Sequence, residues 1–247
     1  MVDKDLCCLA DKEVLTLEQS NNDKYKEWIR ELKLDGSRCM FVNGVLINRR
    51  GIDVTKQYPH ITIENKDTIL DGEVCYITDE HKGGSFNDGR KKENWEKCIY
   101  VVFDVIKFEG ELIKNKPLSE RKKYLEKVRG NIKIITEFAF PTAENIDEYE
   151  GVMIKNPNSE YVFGRTSEWI KVKPTKKIII DFTGYEQNTD GSITAYNELG
   201  DRVKVGRDIE KAKQQLDSED KCSIEVNYLE QNPITKRYRQ ITFSEVK

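Results

Sequence analysis

Six cysteines are scattered over 247 residues without one CxxC spacing, and histidine occurs only twice. Neither a structural zinc site nor a disulfide framework has a pattern behind it, and a reducing cytosol fits best. No apolar run approaches the ~20 residues that a bilayer span needs, and no signal peptide opens the chain. A basic excess is missing too. Lys and Arg number 41 against 44 Asp and Glu, a net charge of −3, whereas a non-specific nucleic-acid binder usually carries surplus positive charge. Internal repeats and low-complexity tracts are also absent.

What is present is charge in quantity, 34% of all residues, in a chain long enough for one large domain or two smaller ones with a proper core. The cations are unevenly spread. Lys91-Lys92 and the group Lys171, Lys173, Lys176 and Lys177 could follow a phosphate backbone, while Arg121-Lys122-Lys123 reads as the solvated face of a helix.

Strand-like runs dominate from Leu32 to Val105. Cys39-Met40-Phe41-Val42 leads into Asn43-Gly44, a hairpin signal, and Val45-Leu46-Ile47 follows. Thr68 to Ile77 reads as a long strand with acids at its centre, and Ile99 to Val105 as a strand buried on both faces. His81 to Lys92, glycine-rich and polar, reads as a mobile loop that could contact a partner or simply connect. Leu118 to Val128, opened by Pro117 and Ser119, is expected to be a charged helix. Gly151 to Ile154 and Trp169 to Lys173 follow as strands, and Pro174 marks a break. Beyond it, Ile178–Tyr185, Ser192–Tyr196, Arg202–Val205, Cys222–Leu229 and Arg237–Phe243 read as short strands, interrupted by a helix at Ile209–Leu216. That pattern suits a small Greek-key barrel of the OB type, with a sandwich fragment as the alternative.

The run Glu31-Leu32-Lys33-Leu34-Asp35-Gly36-Ser37-Arg38 carries the most chemistry. Leu32 and Leu34 fall on one face of a strand, Lys33 and Asp35 on the other. A lysine at a strand end beside a carboxylate and a glycine suits a nucleophilic amine that attacks a bound nucleotide. Five further short elements follow in order: Arg49 with Gly51; Asp71-Gly72-Glu73; Phe103-Asp104; Glu150-Gly151-Val152-Met153-Ile154-Lys155; and Trp169-Ile170-Lys171-Val172-Lys173.

This ordered set resembles the covalent nucleotidyltransferase superfamily, specifically the ATP-dependent DNA ligases, over roughly Leu9 to Lys173. The stretch from Asp104 to Glu126 and the run Gly164-Arg165-Thr166-Ser167-Glu168-Trp169 are similar to the ligase pattern as well. The resemblance implies an α+β protein: an adenylation (nucleotidyltransferase) domain of ATP-grasp-like antiparallel sheets over residues 1–174, then an OB-fold domain over 175–247. It implies that Lys33 is the catalytic residue, attacking the α-phosphate of ATP to form lysyl-AMP. An ammonium cannot attack, so Lys33 must give up its proton, which neighbouring cations and a metal would favour. Lys171 and Lys173, i and i+2 on a strand, share one face and would point at the phosphates. Glu31 matches the position that reads the adenine amino group, and Phe103 the ring that stacks on adenine. Arg38, Arg49 and Arg165 match phosphate- and ribose-binding arginines, whose planar forks suit phosphate. Glu73 is expected at the ribose and, with Glu150, at a Mg²⁺ ion, Mn²⁺ being an alternative. Asp35 would orient the site or contact substrate. In the barrel's last strand, where the family carries cations for the leaving pyrophosphate, only Arg239 and Lys247 are candidates.

The implied activity is sealing of 5′-phosphate/3′-hydroxyl nicks in duplex DNA by a cytoplasmic monomer, in a cellular, viral or phage setting, with no added helical DNA-binding domain. An RNA ligase or RNA-tolerant polynucleotide ligase of the same superfamily, or an mRNA-capping guanylyltransferase, is the first alternative, with the ligase-like Asp104–Glu126 stretch disfavouring capping; a non-catalytic nucleic-acid-binding module is the second.

Overall fold

The computed structural model describes residues 6–12, 14–139, 141–142, 145–174, 176–228, 230–232, 234–239 and 241–247. The chain divides into two compact units, Met1–Lys173 and Pro174–Lys247. Both are mostly sheet, with few helices.

The first unit holds two antiparallel sheets. One joins β1 (Ile29–Leu32), β6 (Val152–Lys155) and β7 (Trp169–Val172), with Val14–Leu15 added in parallel beyond β7. The other runs β3 (Val45–Asn48), β2 (Ser37–Val42), β4 (Ile69–Cys75), β5 (Ile99–Phe108), extended by Glu111–Leu112 and by Lys133–Ile134 on β5. The Asn43-Gly44 signal makes a hairpin: both residues have positive φ, and Val42 pairs with Val45. The apolar run in β5 is buried along nearly its whole length. On the first sheet Val152, Ile154, Ile170 and Val172 pack one face against Leu15 and Tyr25. Alternation therefore sends Glu31, Met153, Lys155, Trp169 and Lys171 to the other face.

One irregularity matters for function. Asp71 pairs with Asp104 and Gly72 with Val102, so Phe103 is an extra residue in the ladder. Such a bulge bends a strand and re-aims its side chain. Here the re-aimed ring is Phe103.

Several sequence expectations need correction. The helix α1 spans Leu118–Leu125 and does not reach Val128, because Lys127 and Val128 donate to Tyr124 and Leu125, three residues back, in tight turns. Arg121-Lys122-Lys123 is not a solvated face: Arg121 is fully buried and Lys122 nearly so, and only Lys123 is exposed. The reason is pairing, since each buried cation meets a buried carboxylate from a strand. The loop from His81 to Lys92 is seated, not free. The Asp35 N–H donates to Gly83 O (2.9 Å), the Phe86 N–H donates to Asp35 Oδ2 (3.2 Å), and Ser85 caps a helical turn over Phe86–Gly89.

In the second unit, β8 (Lys176–Phe182), β12 (Cys222–Tyr228) and β13 (Thr242–Val246) form one three-stranded sheet. β9 (Gly184–Gln187), β10 (Ile193–Tyr196) and β11 (Arg202–Val205) form another. They share a core of Phe182, Ile193, Ala195, Val205, Ile224 and Val246, closed by Ala212 and Leu216 of α2 (Ile209–Glu219). The run expected as one strand from Ile178 to Tyr185 breaks at Thr183. The run from Arg237 to Phe243 likewise divides into Tyr238–Arg239, which pairs with Glu230–Gln231, and β13.

Candidate active site

A cleft of about 280 Å³ lies between the two sheets of the first unit, at the low end of the size usual for small-molecule sites. From the first sheet it is lined by Glu31, Lys33, Met153, Lys155, Trp169 and Lys171; from the second by Arg38, Glu73 and Phe103; and at its rim by Arg49 and Arg165. Glu31, Met153 and Lys171 are direct cross-strand neighbours, a row across one face. Lys33 lies two residues beyond Glu31, just past the end of β1, where its N–H donates to Gly151 O (2.9 Å).

The Lys33 ammonium meets Glu150 Oε1 at 2.5 Å, and Lys173 Nζ lies 3.4 Å from the same oxygen. One carboxylate thus gathers the expected nucleophile and one of the two downstream lysines. Lys171, beside them, is held below the ordinary lysine range by burial and by the charges of Arg165, Lys173 and Lys33.

Glu73 faces this group. Burial pushes its carboxyl up to about 7 against the pull of Arg38 and Lys33, and the charge of Glu150 adds to the rise. The Gly36 N–H donates to Glu73 Oε1 (3.2 Å). Gly36 is required by this close approach: a Cβ there would lie 2.6 Å from Cys75 Sγ and 2.9 Å from Glu73 Cγ. Asp35 is also raised, chiefly by burial and further by Glu150.

Three expected residues have their polar atoms engaged by the protein. The Arg38 fork is spent on Asp71, with Nε to Oδ1 at 2.7 Å and NH2 to Oδ2 at 2.6 Å, and its guanidinium carbon lies 4.5 Å from the Phe103 ring centre. Tyr161 donates to the same Asp71 (2.6 Å). Arg38 therefore braces the wall of the cleft, and its bidentate edge is already used. Arg165, exposed at the rim, donates to Ala10 O, while Arg49 is exposed. Glu31 is 7% exposed and ion-paired to both Lys155 (2.7 Å) and Lys122. Burial pushes its carboxyl up, but the two ammonium groups outweigh that and hold it below the ordinary range.

Sequence reasoning missed Lys155 and Lys122. Lys155 Nζ sits 3.8 Å from the Trp169 ring centre and 4.4 Å from that of Phe103, an aromatic seat for a cation. Its place at the end of the Glu150–Lys155 run was the available signal. Lys122 gave none, because a lysine on a charged helix ordinarily faces water. The six cysteines are buried, and burial pushes the Cys8 and Cys39 thiols up to about 12, which disfavours the thiolate for those two at neutral pH. In the second unit Lys247 is held by Glu225 (3.1 Å) and Glu245 (2.6 Å); the Arg239 side chain lies outside the described residues.

Among the described residues no three His, Cys, Asp or Glu side chains form a ready-made metal cage. Magnesium seldom needs one, since it usually takes one or two carboxylates and completes its shell with phosphate oxygens and water. Glu73 and Glu150, close enough that one raises the other's proton affinity, fit a dication of that kind.

The model of the ATP-dependent DNA ligase domain matches residues 9–173, the length of the unit that holds this cleft. The chain belongs to the ATP-dependent DNA ligase family. It is 30% identical over 186 residues to the multifunctional non-homologous end joining protein LigD of Pseudomonas aeruginosa, covering 65% of this chain and 22% of that one. The SPbeta prophage-derived DNA ligase-like protein LigB of Bacillus subtilis is 30% identical, with 72% of each chain covered. The DNA ligase of Haemophilus influenzae is 27% identical over 80% of this chain and 78% of its own. The chain therefore spans about a fifth of the first relative and about three quarters of the other two. Among solved structures, the ligase domain of M. tuberculosis LigD superposes with a TM-score of 0.57 at 20% identity, covering 100% of this chain and 96% of that one. A Lig E DNA ligase gives 0.55 at 15% identity. These likenesses establish a shared ligase-domain fold. Among the described residues, no helix is long and apolar enough to cross a membrane.

Proposed function

We propose that this chain seals 5′-phosphate/3′-hydroxyl nicks in duplex DNA with ATP, through a lysyl-AMP intermediate on Lys33. The observation that carries the reading is the Lys33–Glu150–Lys173 group at the mouth of a cleft lined by Glu31, Phe103, Glu73, Arg49, Arg165 and Lys171. A nucleotide would lie with its base between Phe103 and Glu31 and its phosphates toward Lys171 and Lys173. Glu150 Oε1, at 2.5 Å, is placed to take the proton that Lys33 must lose. The freed amine attacks the α-phosphorus, the N–P bond forms, and the bond to pyrophosphate breaks. Lys171 and Lys173 stabilise the charge that develops on the phosphates. Glu73 and the second oxygen of Glu150 would hold a Mg²⁺, whose contribution is to neutralise phosphate charge.

AMP then passes from Lys33 to the 5′-phosphate of the nick, and the 3′-hydroxyl attacks that phosphate and releases AMP. We assign residues 1–174 to the nucleotidyltransferase domain and 175–247 to an OB-fold barrel. The two three-stranded sheets around one core support the barrel assignment. Nicked duplex DNA is the partner, engaged by a monomer in a reducing, intracellular compartment.

The test is direct. Incubation with labelled ATP or GTP and Mg²⁺ should give a covalent adduct with ATP, absent in Lys33→Ala, and the wild type should then seal nicked DNA in preference to nicked RNA. An adduct that persists in Lys33→Ala and maps to another lysine defeats the assignment.

A further inference from the structure

Lys122 leaves the solvent side of helix α1 and enters the wall of the cleft. Its ammonium pairs with the Glu31 carboxylate and donates to the backbone carbonyl of Phe103 (2.8 Å). Its side chain is only 13% exposed and that of Glu31 6%. Glu31 belongs to one sheet and Phe103, at its bulge, to the other. A single cation from a third element therefore ties together the two residues that bound the base end of the cleft. Lys155 grips the other oxygen of Glu31 (2.7 Å) from within the first sheet and sets its ammonium 4.4 Å from the Phe103 ring centre, while Lys122 adds a hydrogen-bonded tie from outside both sheets.

We propose that Lys122 is a positioning residue for base recognition: it fixes the Glu31 carboxylate relative to the Phe103 ring so that the cleft accepts a purine bearing an exocyclic amine and rejects one bearing a carbonyl at that position. This rests on the reading of Glu31 and Phe103 as the base-contacting pair. The chemistry follows from charge. A carboxylate accepts from an amino group and repels a carbonyl oxygen, but it discriminates only if it cannot swing aside. Two ammonium groups of opposite origin hold it in place, and their charge keeps it ionised. Removing Lys122 frees Oε1 and unties the bulge, so the carboxylate gains rotamers and the distance between reader and ring is no longer set. Binding of the correct base then weakens and the wrong base is penalised less.

The experiment uses the full chain and two reactions. One is adduct formation with ATP and with GTP; the other is sealing of a nick that already carries 5′-AMP, which needs no free nucleotide to be captured. Lys122→Met should raise the KM for ATP at least tenfold while the rate at saturating ATP stays within about threefold. The ATP-over-GTP preference in kcat/KM should fall at least tenfold, and sealing of the adenylylated nick should stay within about threefold. Lys122→Arg should recover most of the preference. Combining Lys122→Met with Glu31→Gln should lower the preference no further than Glu31→Gln alone, because both act through one contact. Lys122→Met leaves Glu31 paired with Lys155 (2.7 Å) and so strands no buried carboxylate, and Lys122→Leu serves the same test if Lys122→Met fails to fold. Unchanged KM and preference in a folded variant would overturn the proposal, as would equal losses in both reactions or additive losses in the double variant. Failure of the wild type to seal the adenylylated nick would instead refute the ligase reading itself.

Discussion

Burial pushes the Glu73 carboxyl from its ordinary 4.5 up to about 7, and that rise has a consequence for stability. A group that binds its proton more tightly when folded stabilises the protein while protonated. The contribution is complete below the unfolded value of 4.5 and is lost as pH rises through the folded value of about 7. At about 1.36 kcal/mol per unit the full swing is about 3 kcal/mol, of which roughly 2.5 kcal/mol falls between about pH 5 and pH 8. Glu73 is half-buried, so screening reduces this, and about 2 kcal/mol is the magnitude to expect. Glu73→Gln keeps the shape and the acceptor for the Gly36 amide but does not titrate. Urea unfolding of both proteins across that pH range, without nucleotide or metal, isolates the term as a difference between two curves. The wild type should lose about 2 kcal/mol relative to the variant on going from pH 5 to pH 8. Parallel curves would show that Glu73 is ionised throughout and that its burial against Glu150 does not govern its proton.

Two further outcomes follow from other parts of the site. Arg121 donates through Nε and NH2 to Asp104 (2.8 and 2.9 Å) and through NH1 to Lys116 O and Ser159 O (2.6 and 2.8 Å), and the Arg121 and Asp104 side chains are both fully buried. Arg121→Met strands the Asp104 charge and should cost about 3–5 kcal/mol in urea unfolding, part of which returns when Asp104→Leu is added; a loss under 1 kcal/mol would mean that water reaches Asp104. Gly36→Ala forces a Cβ against Cys75 Sγ and the Glu73 side chain, so it should cost about 1–3 kcal/mol and slow adduct formation severely, and a near-normal rate by gel assay of labelled adduct would show that Glu73 tolerates displacement.

The strand ends that line the cleft were legible because three local rules coincide there. Period-2 alternation at Leu32-Lys33-Leu34 fixed the faces, with both leucines buried. Gly36, Gly72 and Gly151 marked places where a Cβ would meet a neighbouring strand, and the i, i+2 spacing of Glu31 with Lys33 and of Trp169 with Lys171 placed all four on the lining of one cleft. Element ends were less legible where tertiary contacts decide them. Thr183 divides one apolar run into two strands of different sheets, β8 pairing with β12 and β9 with β10, and Gly184 faces the ring of its cross-strand partner Tyr196. No local signal encodes that ring.

Burial of the helix's cations was not legible in the helix itself, and here the reason is general. Arg121, Lys122 and Lys123 are chemically alike in sequence, yet the first braces the core, the second enters the cleft wall and the third meets water. A helix rotates about 100° per residue, so three consecutive cations must face three directions. What those directions contain is set by Asp104 and Glu31, acids far away in the chain and on different strands. Reading such a triplet requires asking which carboxylates of the sheet lack a partner. Asp104 lies on the long buried strand β5, whose apolar pattern already demanded that its one acid be neutralised. Glu31 lies on the buried face row of β1 and posed the same demand. An unpaired acid inside a strand is thus a stronger pointer to a buried cation than anything in the helix that supplies it.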